Sequence, residues 1–521
     1  MLYRATASGQ LIRGQLGHRL ATLAQVKVRE TPVEHATWVM NLSVADQVQT
    51  VGGHGSSLPS AKLAIQSTSS SSQRTNSKDS MRNRTLIKDL AASQDGPVVL
   101  GGWVEKLRDQ KRIQFVILRD ESGDVQVTYP RPVVGDQPDE NDALAAKIST
   151  LTAGSFIWVH GRLVHDERVK LGGLEIQLDD IEIVTLADPI SPIADDTSID
   201  KRLDWRFLDL RRTEMNLVFQ IQTTIEQAWR EWWTANNFIE IHSPKLMASA
   251  SESNAELFKL EYFETHAYLA QSPQFYKQMA MMAGFGRIFE IGPVFRADPS
   301  FTSRHATEFI SVDMEVSWID SHEDIMALQE ELLHIAIKAV AEKHGEEIKK
   351  YFDVDVVVPS IPFPRITLAD AIDIIKERGH EVLRGGDLDP EGERQIAAHV
   401  QEKFGHEFVF VTDYPATVRP FYHMRHEDNP ALTKSYDLIW RGTEITTGAQ
   451  REHRLDVLIE QVKQKGLEPE GLQTYLDFFK YGAPAHGGFG MGLIRVLMLL
   501  LHQPNIREVG YLFRGPNRLE P

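Results

Sequence analysis

Cysteine is absent from the 521 residues, which excludes a disulfide scaffold, a thiolate metal site and a cysteine nucleophile. Long apolar runs are missing as well. The greasiest stretch, Val496 to Leu501, stops at His502, far short of the roughly 20 residues that a membrane span needs. No membrane partner is expected. A basic excess is also lacking, since 56 Lys and Arg stand against 73 Asp and Glu, a balance of −17. A generic cationic coat for nucleic acid is therefore excluded, and contact with phosphate has to come from local clusters. Neither GxGxxG nor GxxxxGK followed by Ser or Thr occurs, so Rossmann and P-loop nucleotide binding lack their usual sign. Apolar residues at 42% and charged residues at 25% describe an ordinary globular chain.

Three unequal parts follow one another. Residues 1–80 carry eight basic and four acidic residues, and Ser67 to Ser80 is almost wholly polar. No convincing periodic run occurs there, and such a composition buries too little apolar surface to offset chain entropy. The first acid is Glu30, which leaves an organelle-targeting peptide open. The preferred expectation is a disordered or mis-assigned leader ahead of a start at Met81. From 81 to 188 short strands alternate with turns: Val98 to Val104, Phe115 to Leu118, Val125 to Tyr129, Phe156 to Val159 and Leu174 to Val184. A helix over Asp142 to Leu151 interrupts them. That pattern predicts a five-stranded barrel of the oligonucleotide-binding (OB) type. A proline-bearing hinge spans 189–205, and 206–521 alternates helix and strand. Leu217, Ile221, Ile225, Ala228 and Trp232 recur at helical spacing.

Within the barrel, Lys106, Arg108, Lys111, Arg112 and Arg119 surround Phe115. An aromatic framed by cations suits single-stranded nucleic acid, because every base has a face and every nucleotide a phosphate. An edge strand with Phe115 in the core explains the same residues equally well. Further on, Arg296-Ala297-Asp298 and Arg304-His305-Ala306-Thr307-Glu308-Phe309 place two arginines and an aromatic on a strand–loop–strand. Arginine's planar fork grips phosphate oxygens, although a surface salt-bridge hairpin is the commoner reason for such a string. Gly487 to Arg495 is glycine-rich and runs into an apolar helix that carries Arg495. Asp437 and Glu444 are two acids of the kind Mg²⁺ accepts beside substrate phosphates. Gln271 to Lys277 offers amides and an ammonium, and Asp313 and Glu315 point the same way along a strand.

Together these strings resemble the three motifs of the class II aminoacyl-tRNA synthetases, and more narrowly the aspartyl branch of archaeal and eukaryotic-cytosolic type. The likeness runs from about Arg84 to Pro521, with motif 1 in Phe238 to Leu246, motif 2 in Phe295 to Glu315 and motif 3 in Gly487 to Arg495. It implies an α+β architecture, with the barrel followed by an antiparallel sheet flanked by helices, and a cytoplasmic homodimer joined around Pro244. It also implies ligation of L-aspartate to tRNA through an adenylate, with ATP as substrate and Mg²⁺ as metal. Arg296 and Arg495 are then the catalytic pair. The nucleotide is held by Arg296, Asp298, Arg304, His305, Phe309, Glu444 and Arg495. Aspartate meets Glu252, Gln274, Lys277, Asp313, Thr447, Gly448 and Arg451, and the metal meets Asp437 and Glu444. The anticodon meets Phe115, Gln126, Arg108 and Arg119.

The chain departs from the family pattern at five places. Asp298 stands where glutamate is usual, Ile494 where glutamate precedes the motif 3 arginine, and Ser253-Asn254 where paired glycines are common. Thr447 replaces a serine and His423 a threonine. Two other functions are consistent with a shared ancestry: a tRNA-independent enzyme that amidates aspartate, and a non-catalytic RNA-binding paralogue. The likeness leaves open whether tRNA(Asp) alone or tRNA(Asn) as well is charged; Glu105 lies close to that determinant.

Overall fold

The computed structural model describes residues 24–29, 39–44 and 83–521, apart from 135, 140, 250–255, 301 and 383–385. The chain divides into two units, residues 1–79 and 80–521. In the first, Ala24–Arg29 and Val39–Val44 make an antiparallel ladder with Ala24 opposite Val44. This pair lies inside the stretch expected as an irregular leader; the rest of that stretch is outside the described residues.

The second unit begins with the expected closed barrel. Its strands are β1 (Gly96–Asp109), β2 (Ile113–Asp120), β3 (Gly123–Pro130), β4 (Phe156–His165) and β5 (Leu174–Thr185). They close in the order β1-β2-β3-β5-β4. Between β3 and β4 sits helix α1 (Ala143–Ser149), capped by Asp142, whose carboxylate accepts from the Leu144 and Ala145 N–H groups. Strand β2 alternates strictly. Gln114, Val116, Leu118 and Asp120 face inward, while Phe115, Ile117 and Arg119 face outward. The 189–205 connector is not wholly irregular, because Ile199–Asp204 is helical.

The large domain is built on eight strands: β6 (Ile239–Glu240), β7 (Arg287–Phe295), β8 (Glu308–Ser317), β9 (Arg365–Thr367), β10 (Phe408–Thr412), β11 (Ser435–Trp440), β12 (Thr443–Gln450) and β13 (His486–Gly492). Their order is β6-β7-β8-β13-β12-β11-β10-β9. The six central strands pair antiparallel, as expected, but both edges are parallel: β6 against β7 and β9 against β10. Helix α2 (Thr213–Ala235) packs on the sheet, with Trp233 stacked on Phe289 of β7 at 4.2 Å between ring centroids. The Trp229 indole N–H donates to Leu332 O of the 31-residue helix α3 (His322–Phe352). The apolar stripe of α2 differs from the expected one at its end. Beyond Ile225 the core takes Trp229 and Trp233, whereas Ala228 and Trp232 are half-buried at the margin. Steps of four keep the stripe facing the sheet, and the larger rings fill it.

The glycine-rich run is a strand followed directly by a helix. Gly487 to Gly492 form most of β13, and helix α4 (Leu493–Leu500) follows immediately. Opposite Gly488 and Gly490 lie Glu315 and Asp313 of β8. A Cβ on Gly488 would sit 2.0 Å from the Met314 carbonyl oxygen and 2.3 Å from Glu315 Oε2. The glycines thus make room for two buried carboxylates in the middle of the sheet.

Candidate active site

Over this part of the sheet lies a cavity of ≈ 470 Å³. Lys277 reaches it from the short helix Gln274–Met282 and Arg451 from the residue just after β12. Both are fully buried, and both converge on Glu315. Lys277 Nζ lies 2.8 Å from Asp313 Oδ1, 2.9 Å from the Phe489 carbonyl oxygen and 3.5 Å from Glu315 Oε2. Arg451 donates from Nε to Glu315 Oε1 at 3.0 Å, and from Nη2 to Gly488 O at 2.9 Å. Burial alone would raise the Glu315 pKa; the Arg451 and Lys277 cations outweigh it and hold the group below the ordinary carboxylate range. Two cations and two anions therefore balance in a buried wall. Gln274 and Thr447 also line the cavity. Gly448 does not: a Cβ there would lie 2.3 Å from the Tyr436 ring, so its role in the fold is to admit that ring. Glu252 lies outside the described residues.

The nucleotide candidates Arg296, Asp298, Arg304, His305, Phe309, Glu444 and Arg495 line the same cavity. The Arg296 guanidinium lies 5.7 Å from the Phe309 ring centroid, so a cation and an aromatic face stand side by side. Arg495 Nη1 donates to the Glu444 carbonyl oxygen at 2.8 Å and lies 3.6 Å from Glu444 Oε2. That pairing accounts for a guanidinium at the start of an otherwise apolar helix. Burial lowers the Arg495 pKa, and burial together with the Arg495 charge lowers that of His305, favouring neutral imidazole. Asp298 Oδ1 accepts from the Ser300 N–H at 2.7 Å. Ile494 also lines the cavity, placing an apolar wall where the family carries a carboxylate.

Arg304 is engaged with Glu393 on the helix Pro390–Phe404. Glu393 also accepts the Glu444 N–H at 3.2 Å, and burial raises its pKa. Asp437 is not part of the cavity wall. Its carboxylate accepts from Arg419 Nη2 at 2.6 Å and from Thr447 Oγ1 at 2.8 Å. The same hydroxyl lies 3.1 Å from Glu444 Oε1, so Asp437 and Glu444 share one hydroxyl. Burial and the neighbouring Glu444 charge raise the Asp437 pKa against the pull of Arg419. Sequence reasoning missed Glu393 and Arg419. Both sit in segments without motif signal, and only the fold carries them to Arg304 and Asp437.

On the barrel, Phe115 is half-buried on the outward face and lies outside the barrel core, which removes the core alternative. Arg108 of β1 lies opposite Phe115, and Gln126 of β3 lies opposite Ile117. Gln126 Nε2 donates to Glu175 Oε2 at 3.2 Å. Lys106, Arg108, Lys111 and Arg112 are exposed. Arg119 differs from them, being held by Asp124 at 2.7 Å and Glu105 at 3.1 Å.

Among the described residues, no group of three or more His, Cys, Asp or Glu could hold a metal ion. No described helix is long and apolar enough to cross a membrane. Residues 198–514 match the class II tRNA synthetase family (D, K and N), and residues 98–184 match the OB-fold nucleic acid binding domain. The aspartate–tRNA(Asp/Asn) ligase of Methanopyrus kandleri is 44% identical over 438 residues, which cover 83% of this chain and 98% of that one. The aspartate–tRNA(Asp) ligase of Pyrococcus abyssi is 42% identical over 428 residues, covering 81% and 96%. Among solved structures, asparaginyl-tRNA synthetase from Pyrococcus horikoshii complexed with asparaginyl-adenylate superposes with a TM-score of 0.78. It is 31% identical and covers 85% of this chain and 100% of its own.

Proposed function

The chain belongs to the class II tRNA synthetases of the D, K and N group, and from that membership we propose that it ligates L-aspartate to tRNA. The reaction uses ATP and proceeds through an aspartyl-adenylate. The observation that carries the choice of amino acid is the convergence of buried Lys277 and Arg451 on one cavity wall. A side-chain carboxylate accepts from both cations. The amide of asparagine turns its own donors toward donors and forfeits the charge-assisted hydrogen bond that a carboxylate accepts there, which is how a polar site rejects an isostere. Asp313 and Gln274, with Glu252, take the ammonium group, and Thr447 supports the pocket.

The chemistry needs no protein nucleophile. A substrate α-carboxylate oxygen attacks the α-phosphorus in line, and the bond to the bridging oxygen breaks as pyrophosphate leaves. A hydroxyl of the terminal tRNA adenosine then attacks the acyl carbon; its proton departs, and AMP leaves with the phosphate oxygen. What the protein supplies is orientation and fixed positive charge. Arg296 grips the α-phosphate, Phe309 stacks the adenine, and Arg495 faces the far phosphates with His305. Arg304 joins them once it leaves Glu393.

The donor set fits Mg²⁺, a hard cation that needs one or two protein carboxylates beside phosphate oxygens. Glu444 and Asp437 repel one another across the shared Thr447 hydroxyl, a repulsion that a dication relieves. The direct ligand would be Glu444. Asp437, held by Arg419, orients it through Thr447. The metal neutralises phosphate charge when bound.

The outward Phe115 stacks an anticodon base, Gln126 reads a base edge, and Arg108 meets the backbone. Arg119, already paired to two carboxylates, braces this face. A homodimer through the edge strand β6 is supported by Ile239 and Leu246, exposed at 47% and 48% on either side of Pro244. We place its work in the cytoplasm on the strength of the family membership.

The test is aspartate-dependent ATP–pyrophosphate exchange, followed by aminoacylation of purified tRNA(Asp) and tRNA(Asn) side by side. Exchange with aspartate and charging of tRNA(Asp) are expected, from protein that light scattering weighs at twice the chain mass. Folded protein with no exchange would leave a non-catalytic RNA binder. Ammonia-dependent asparagine formation without tRNA would mark an amidating enzyme.

A further inference from the structure

Arg451 is wedged against His423, a residue that the family pattern does not supply. The two residues form an isolated antiparallel bridge. Arg451 Nη1 lies 3.0 Å from His423 Nε2. The imidazole is buried and also lines the cavity. A guanidinium has only donors, so the facing Nε2 has to be the unprotonated acceptor and the ring proton sits on Nδ1. Burial and the Arg451 charge agree with that neutral state, both lowering the His423 pKa far below its ordinary value.

The donor inventory of Arg451 gives this contact its meaning. A guanidinium carries five N–H groups. Nε–H goes to Glu315 Oε1 at 3.0 Å, and the two on Nη2 go to Glu315 Oε2 at 3.4 Å and Gly488 O at 2.9 Å. One on Nη1 goes to His423. Among the described residues the second Nη1–H has no partner, and because the fork is planar and rigid, fixing its twin fixes its direction.

We infer that His423 is a positioning residue for substrate selection, which holds the Arg451 fork so that its one uncommitted N–H is aimed at the substrate's side-chain carboxylate. This rests on the aspartate-ligase reading above. Without the imidazole acceptor, Nη1 has two N–H groups to place, and the fork loses the constraint on the edge that Glu315 does not hold. Gly488 O and Glu315 keep the guanidinium in the site, so the loss falls on alignment rather than on the presence of charge.

The experiment uses the full chain in aspartate-dependent pyrophosphate exchange. Wild-type exchange is measured first, and its absence would fail the aspartate reading itself rather than this inference. With exchange present, His423→Phe keeps the ring's bulk and removes the acceptor, whereas His423→Gln restores an acceptor in its side-chain oxygen. Loss of one charge-assisted hydrogen bond predicts a KM for aspartate raised about tenfold or more in His423→Phe. The KM for ATP should stay within about twofold, and His423→Gln should recover most of the difference. If thermal melting shows that the phenylalanine variant is unfolded, His423→Ala is measured in its place, with added imidazole as the rescue. A KM for aspartate within twofold of wild type overturns the inference. So does an equal rise in both KM values, or no recovery with glutamine or imidazole, since those mark a packing role.

Discussion

At the scale of single residues, several charged side chains in and behind the cavity wall are engaged with one another before any substrate arrives. Glu315 accepts from Arg451 and lies near Lys277, Asp437 accepts from Arg419, and Arg304 is held by Glu393. Paired charge is the kind a protein interior tolerates, so on the proposed reading selectivity comes from what each pair has left to offer. Arg451→Leu removes the fork and leaves Glu315 with Lys277 at 3.5 Å. Aspartate activation is expected to fall by on the order of a thousandfold or more, with a stability loss of about 3 kcal/mol. ATP binding should remain measurable by calorimetry; undiminished aspartate activation in this variant would show that the pocket lies elsewhere. Lys277, Arg451 and Arg296 were singled out through the resemblance of their strings to the family's motifs, and the structure brings all three to one cavity. Glu393 and Arg419 were illegible, since their partners lie 89 and 18 residues away along the chain and no local pattern couples them.

At the scale of elements, period-2 alternation decides the fate of the barrel strip. In β2 the inward positions Val116 and Leu118 fill the core, and parity alone turns Phe115 outward toward Arg108. Composition could not choose between a buried and a stacking phenylalanine; strand phase could. Phe115→Ala is expected to lower kcat/KM for tRNA by about 10- to 100-fold, the weight of one base–aromatic stack. Aspartate-dependent pyrophosphate exchange, which needs no tRNA, should be unchanged. A tRNA charging rate equal to wild type would remove this face from recognition. The same phase logic explains Gly488, where β13 passes too close to β8 for any side chain. The stripe of α2 shows the converse, because a helical pattern read from apolar residues alone drifted by one position at Trp229 and Trp233.

At the scale of the whole molecule, buried histidines tie stability to pH. Burial holds the His322 and His486 imidazoles neutral down to about 4, against an ordinary value of 6.5. Below pH 6.5 the unfolded chain binds protons that the folded chain refuses, so stability present at neutral pH is lost as pH falls from 6.5 to about 4. Each such group contributes a slope of about 1.4 kcal/mol per pH unit within that window. Glu315 acts at the lower end: with its pKa depressed, its contribution is intact above 4.5 and goes as pH falls through the folded value. Urea midpoints are expected to drop steadily between pH 6.5 and 4. A flat midpoint across that range would mean that these rings are accessible to protons in the native state.

The sequence by itself determined the kind of molecule: a barrel with a cationic strip ahead of a sheet domain whose motif strings carry the arginines and lysine that line the cavity. Short-range periodicity and residue chemistry are local quantities, and they survive reading in one dimension. The tertiary structure alone decided the parallel edges of the sheet, the withdrawal of Asp437 behind Arg419, the parking of Arg304 on Glu393 and the grip of His423 on Arg451. Each of these is a meeting between segments distant in the chain, set by how the sheet brings its strands together and by the cost of leaving a buried charge without a partner.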